Sequence, residues 1–209
     1  VRSMSISGSS DELTRVAEII LAEGVALLPT DTVYGLAVRP DSPTAIDRLF
    51  AMKGRPREKN LPVMVGSGEQ LSELGVDINE ACSRCLASPY MPGPLTLAVG
   101  FVEDGRRPAW LAGRDEVAVR IPAHPAMLAI LAQTGPLLVT SANISGGPTH
   151  ENVPSILSSL LFEPDVTVDR GPLSKVPSTL VNCRKDPPVV ERVGVVSETE
   201  ILRMLNVDR

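Results

Sequence analysis

Two short apolar runs, residues 25–28 and 137–140, each break off into a loop crowded with hydroxyl and amide groups: Pro29-Thr30-Asp31-Thr32 and Ser141-Ala142-Asn143-Ile144-Ser145-Gly146-Gly147. Runs this short and apolar read as buried strands, and polar groups at a buried strand end cost free energy unless they are paired or meet a ligand. Helical periodicity lies between such runs. Ser9 and Glu12 have the spacing of a capping box ahead of Leu13, Val16, Ile20 and Leu21, and Gly24 closes that pattern. Residues 44–52, 69–74, 79–87, 124–133, 153–161 and 198–205 read as further helices, and 61–65, 95–101, 116–121, 166–168, 179–182 and 189–193 as strands. The interleaving predicts an α/β fold with a twisted, mixed parallel and antiparallel sheet and flanking helices. In the last third the strands follow too closely for crossover helices, which predicts antiparallel pairing there. Residues 1–10 are expected to be a loose N-terminal segment and residues 11–209 one domain.

Composition narrows the function. Only 3% of the 209 residues are aromatic, which argues against a stacking platform for single-stranded nucleic acid. A formal net charge of −5 gives no global attraction for a polyanion, so any phosphate site must be a local cluster of cations. Three cysteines make no disulfide framework, and no stretch has the layout of a secretory signal. No apolar run approaches the ~20 residues of a spanning helix. The expectation is a cytoplasmic protein with no membrane contact.

Lys53-Gly54-Arg55-Pro56-Arg57-Glu58-Lys59 puts four cations in seven residues between a predicted helix and a predicted strand. Such a run is a candidate phosphate clamp, although read alone it is more often a solvated face. In Val117-Ala118-Val119-Arg120, alternation places Ala118 and Arg120 on one face, where a fixed guanidinium would receive a carboxylate if that face lines a cleft and otherwise reach out to water. Asp31 is either a turn-former or a group that orients water or metal. The single Cys82-x-x-Cys85 pair lacks a second pair for zinc, and His124 and His150 lack metal-ligand spacing. No nucleophile elbow or Walker loop is present.

Taken together and in order, PTDTVYGLA, KGRPREKNLPVMV, PGPLTLAV, VAVRIPAHP, TSANISGGPT and PSTLVN resemble the YrdC/Sua5 family, the threonylcarbamoyl-AMP synthases of tRNA modification. The resemblance runs from about Leu13 to about Val195 and looks like the short, single-domain form. It implies a large concave cavity and the condensation of L-threonine, bicarbonate and ATP, accompanied by Mg²⁺, into threonylcarbamoyl-adenylate and pyrophosphate. The product would pass to a complex that transfers the threonylcarbamoyl group to tRNA, with tRNA contact by the chain itself left open. The family signature stands here as Lys53 with Arg55, the implied catalytic cations, and Ser141 with Asn143. Arg55, Lys59, Ala142 through its backbone, Asn143, Thr149 and Arg192 fall where the family meets ATP, and Thr32, Arg120, Thr140 and Ser178 where it meets threonine. No metal ligands are implied. Met64 departs from a histidine common near the threonine, Lys59 from an asparagine, and Met91 from a tryptophan. The residues suit the chemistry independently: a carbamate attacking an α-phosphate brings two anions together, so cations and positioning must supply the catalysis, without a covalent nucleophile. A carbamoyl-adenylate module using carbamoyl phosphate and a double-stranded RNA-binding module are the alternatives. The acidic net charge and the threonine-side hydroxyls speak against RNA binding as the main role.

Overall fold

The computed structural model describes residues 4–6, 9–103 and 105–207. In chain order the first half carries β1 (Met4–Ile6), α1 (Ser10–Leu21), β2 (Ala26–Leu28), β3 (Gly35–Val38), α2 (Pro43–Lys53), β4 (Val63–Met64), α3 (Gly68–Glu73), α4 (Glu80–Leu86) and β5 (Leu95–Val99). There follow β6 (Val117–Arg120), α5 (Pro125–Thr134), β7 (Leu137–Ser141), α6 (Val153–Ser159), β8 (Val166–Val168), β9 (Thr179–Asn182), β10 (Val189–Arg192) and α7 (Glu198–Leu205). The strands form one ten-stranded sheet in the order β1-β8-β2-β3-β7-β4-β6-β5-β9-β10. Its pairing is mixed: β2, β3, β7 and β4 run antiparallel to their successive neighbours, while β4 with β6 and β5 with β9 are parallel.

Residues 4–6, expected to be loose, instead pair in parallel with β8 along the sheet edge. The segment 35–38 was not expected as a strand, because Gly35 breaks the apolar pattern. A Cβ at Gly35 would lie 2.7 Å from Val139 Cγ1, so the close approach of β3 to β7 requires glycine. In the last third the antiparallel expectation holds for β9 and β10, whereas β8 and β9 pair in parallel with strands from earlier in the chain. The Ser9–Glu12 capping box forms as its spacing predicts. No helix among the described residues is long and apolar enough to cross a membrane.

Alternation divides the sheet into two apolar faces. Leu27, Leu36, Val63, Leu97, Val119, Leu138 and Val181 pack against residues of α2, α4, α6 and α7, among them Leu49, Ile156 and Ile201. Cys82, Cys85 and Cys183 are buried as free thiols in this layer, and the two neighbouring thiols together with burial push the Cys183 thiol up. On the opposite face Ala26, Leu28, Ala37, Leu137 and Val139 pack against Val16 and Ile20 of α1 and Met127, Ile130 and Leu131 of α5. Those two helices reach only one part of a ten-strand face, which leaves strands β6, β5 and β9 bare on that side.

The segment that follows β10 is tied back to the start of β9 through the Thr179 hydroxyl, beside a backbone bond from Val195 N to Pro177 O. Buried Thr179 Oγ1 donates to Val196 O at 2.6 Å and accepts from the N–H groups of Gly194 at 2.9 Å and Val196 at 3.1 Å. Thr179→Val keeps the shape and leaves three backbone groups without this partner. A loss of about 1–3 kcal/mol in denaturant unfolding is expected; an unchanged midpoint would show that the hydroxyl does not hold this segment.

Candidate active site

The bare part of the second face is the floor of a cleft of about 360 Å³, a size suited to small molecules. Thr96 of β5, Ala118 and Arg120 of β6 and Leu180 of β9 line it. Ala118 and Arg120 share one face, as the alternation predicts, and of the two outcomes that pattern left open, cleft or water, the structure shows the cleft. A larger groove of about 570 Å³ lies beside α4, the turn after β9 and the end of α7, and holds none of the predicted site residues.

Within the cleft Arg120 is buried, at 4% exposure, and held from three directions. Its Nε donates to Gly93 O at 2.9 Å, Nη1 to Thr32 Oγ1 at 2.9 Å and Nη2 to Asp31 Oδ1 at 2.8 Å. Burial pushes the guanidinium below its ordinary value, and the Asp31 charge and hydrogen bond oppose that shift. Thr32, expected to face the substrate, does not line the cleft; it sits behind Arg120, and Thr30 reaches the cleft in its place. The PTDT turn explains itself locally, since Thr30 Oγ1 donates to Val33 O at 2.6 Å and accepts from Thr32 N at 3.2 Å. Buried Thr140 and Ser178 line the cleft as expected, and the Ser178 and Thr96 hydroxyls share a 2.7 Å hydrogen bond. Met64 also lines it and is buried, so an apolar wall stands where the resemblance leads one to look for a histidine. His124 caps α5 with a buried Nδ1 that has no hydrogen-bond partner among the described residues, and burial pushes its imidazole pKa down.

The cleft lining also holds two guanidiniums with no carboxylate partner among the described residues. Arg55 donates to Lys59 O at 3.2 Å and Asn60 O at 3.0 Å; Arg192 donates to Ser178 O at 2.9 Å and Ser178 Oγ at 3.2 Å. Burial pushes both below the ordinary arginine value, and both line the cleft. Cations that are partly desolvated and not neutralised make an anion site. Thr149 joins them, its hydroxyl donating to Lys175 O at 2.7 Å. Lys59 is exposed beside Arg55 and does not line the cleft. Arg57 pairs with Asp47 and lies over the Phe50 ring, away from this cluster.

Lys53 corrects the expectation drawn for it. It is fully buried, and its Nζ donates to Ser141 O at 2.5 Å, to the Asn143 carbonyl and to Asn143 Oδ1 at 3.3 Å, which uses all three N–H groups. Burial and then the Arg55 charge push the ammonium down to about 8. Lys53 therefore has no N–H left over and does not line the cleft; it ties the end of α2 to the end of β7 and the loop that follows. Ser141 Oγ lines up on Asn143 Oδ1 at 2.6 Å, and Asn143 Nδ2 donates to Ile144 O at 3.0 Å and Gly147 O at 2.7 Å, so Asn143 shapes the loop from within. The Ala142 N–H is likewise committed, to Tyr34 O at 2.9 Å. Of this group only Ser141 lines the cleft.

A family model for Sua5/YciO/YrdC, described as telomere recombination, matches residues 18–194. The chain belongs to the Sua5/YciO/YrdC family. It is 31% identical to the threonylcarbamoyl-AMP synthase of Bacillus subtilis (strain 168) over 94% of this chain and 57% of that protein. It is also 34% identical to the enzyme of the same name from Pyrococcus abyssi over 91% of this chain and 56% of that one, so it spans little more than half the length of these relatives. Among solved structures, P. abyssi Sua5 complexed with L-threonine superposes with a TM-score of 0.84 at 31% identity, covering 99% of this chain and 61% of that one. E. coli YciO gives 0.83 at 25% identity, covering 96% and 100%.

Within this Sua5/YciO/YrdC fold the sequence reading passed over Thr30, Asn60, Thr96 and Leu180 as cleft residues. Thr96 carried a usable signal, a lone hydroxyl at an alternating position of the apolar strand 95–99. Lys53→Met tests the positioning role of the lysine. It strips three oxygens of their donor, and a stability loss of roughly 2–4 kcal/mol is expected by chemical denaturation. Wild-type stability with abolished nucleotide binding would return Lys53 to the phosphate.

Proposed function

We propose that this chain carries the L-threonylcarbamoyladenylate synthase reaction, with MgATP, L-threonine and bicarbonate as substrates and pyrophosphate as the second product. The observation that carries this reading is one cleft that holds both a guanidinium tied to a carboxylate and a hydroxyl and two guanidiniums that no carboxylate neutralises. Relatives named threonylcarbamoyl-AMP synthase support it. The threonine carboxylate meets Arg120, with Thr30, Thr140 and the Thr96–Ser178 pair close by for its hydroxyl and amine. The amine combines with bicarbonate to give a carbamate and water, and a carbamate oxygen attacks the α-phosphorus while the bond to pyrophosphate breaks. Arg55 and Arg192, with Lys59 beside them and Thr149, neutralise the phosphate oxygens as charge moves onto the leaving group. Among the described residues no three His, Cys, Asp or Glu side chains converge as metal ligands. Mg²⁺ is accordingly assigned to the nucleotide substrate, held mainly by phosphate and water oxygens. The adenylate then serves the tRNA-modifying transfer that follows, in the cytoplasm.

Pyrophosphate release should require ATP, bicarbonate and threonine together, and equal release without threonine would remove the reading. Valine should be a poor substitute, because a site built to hydrogen-bond a hydroxyl leaves buried polar groups unpaired without it.

Arg55→Ala should weaken ATP binding by on the order of 1.5–3 kcal/mol, the loss of a charge-assisted phosphate contact. Arg57→Ala, which removes a cation paired away from the cleft, should change it less than about threefold. Equal effects in ATP titrations would indicate diffuse electrostatics in place of a clamp.

A further inference from the structure

Asp31 carries a carboxylate that local structure alone does not need. Its Oδ1 accepts from Arg120 Nη2 at 2.8 Å and from Ala123 N at 3.1 Å, while its Oδ2 is buried without a partner. The side chain is 15% exposed and does not line the cleft, so a bound substrate has no direct access to it. An amide oxygen would accept both hydrogen bonds without burying an unpaired carboxylate oxygen. The charge is matched instead by Arg120, whose other two anchors, Gly93 O and Thr32 Oγ1, are neutral. The three anchors take one N–H from each guanidinium nitrogen and leave one on Nη1 and one on Nη2.

We infer that Asp31 is a positioning residue that fixes the Arg120 guanidinium so that its two remaining N–H groups meet the substrate carboxylate, an inference that rests on the synthase reading above. Gly93 O anchors Nε, Thr32 Oγ1 anchors Nη1, and Asp31 anchors Nη2 with a charge-assisted bond. When that third anchor weakens, the planar group as a whole tilts more freely, and its two-point contact with the carboxylate is held less well. Asp31 thus sets threonine affinity without touching threonine, and it makes no hydrogen bond to Arg55 or Arg192.

The test compares the unaltered protein, Asp31→Asn, Arg120→Lys and the double variant, with threonine and ATP varied separately in the pyrophosphate assay and threonine binding measured by calorimetry. Asp31→Asn keeps an acceptor oxygen but turns the charge-assisted bond into a neutral one, so it is expected to raise the threonine KM and Kd about fivefold or more, with the ATP KM and the kcat at saturating threonine within about threefold. In the Arg120→Lys background Asp31→Asn should add little, since both changes act on one contact. Unchanged threonine affinity in Asp31→Asn, tighter binding through relief of charge repulsion, or full additivity in the double variant each overturns the inference. A melting curve shows whether the variant is folded at the assay temperature; if it is not, Asp31→Glu takes its place, displacing the carboxylate by one methylene, with the same selective rise in threonine KM expected. If the unaltered protein neither binds threonine nor releases pyrophosphate in its presence, the synthase reading falls and takes this inference with it. If it does both, and Arg120→Lys weakens threonine while Asp31→Asn does not, the Asp31 inference alone fails.

Discussion

The Lys53 ammonium is the contact on which the cleft depends. It lies at the last turn of α2, where Gly54 at φ +55° turns the chain into the loop that carries Arg55. The same residue accepts Ser145 N at 2.9 Å through its own carbonyl and donates to three oxygens at the end of β7 and in the loop that follows. One buried cation thus joins the segment that presents Arg55 to the segment that presents Ser141. Removing a partner from such a site leaves buried polar groups unmet, which makes the arrangement all-or-none.

The arginines of the cleft are balanced in opposite ways. Arg120 is balanced by Asp31 and fixed by three bonds, which suits a small carboxylate that must be held at one angle. Arg55 and Arg192 are bonded only to uncharged oxygens, which leaves their full charge for a polyanion. The acidic net charge of the chain leaves this contrast to local structure.

Elements whose signal is local were legible in the sequence. The capping box at Ser9, the alternation that puts Arg120 on one face with Ala118 and the apolar runs of β2 and β7 all follow from neighbouring residues. What escaped depends on partners distant in the chain. Lys53 looks like one cation among four, and only the return of β7 to the end of α2 makes it a structural tie. Thr32 looks as exposed as Thr30, and only the arrival of Arg120, 88 residues later, places it behind the guanidinium. Strand β3 was hidden because its first glycine is required by contact with Val139, not by any local pattern. The edge strand at residues 4–6 depends on pairing with β8, far along the chain.

The cleft floor is the reverse side of the main core. Thr96 and Arg120 alternate along their strands with Leu95, Leu97 and Val119, which are among the most deeply buried residues of the first apolar layer. Paired central strands of this kind open only when the whole domain unfolds, whereas loops open on their own. A ligand seated on this floor is therefore linked to global unfolding. Its occupancy should slow amide exchange across the entire sheet, well beyond the residues it touches.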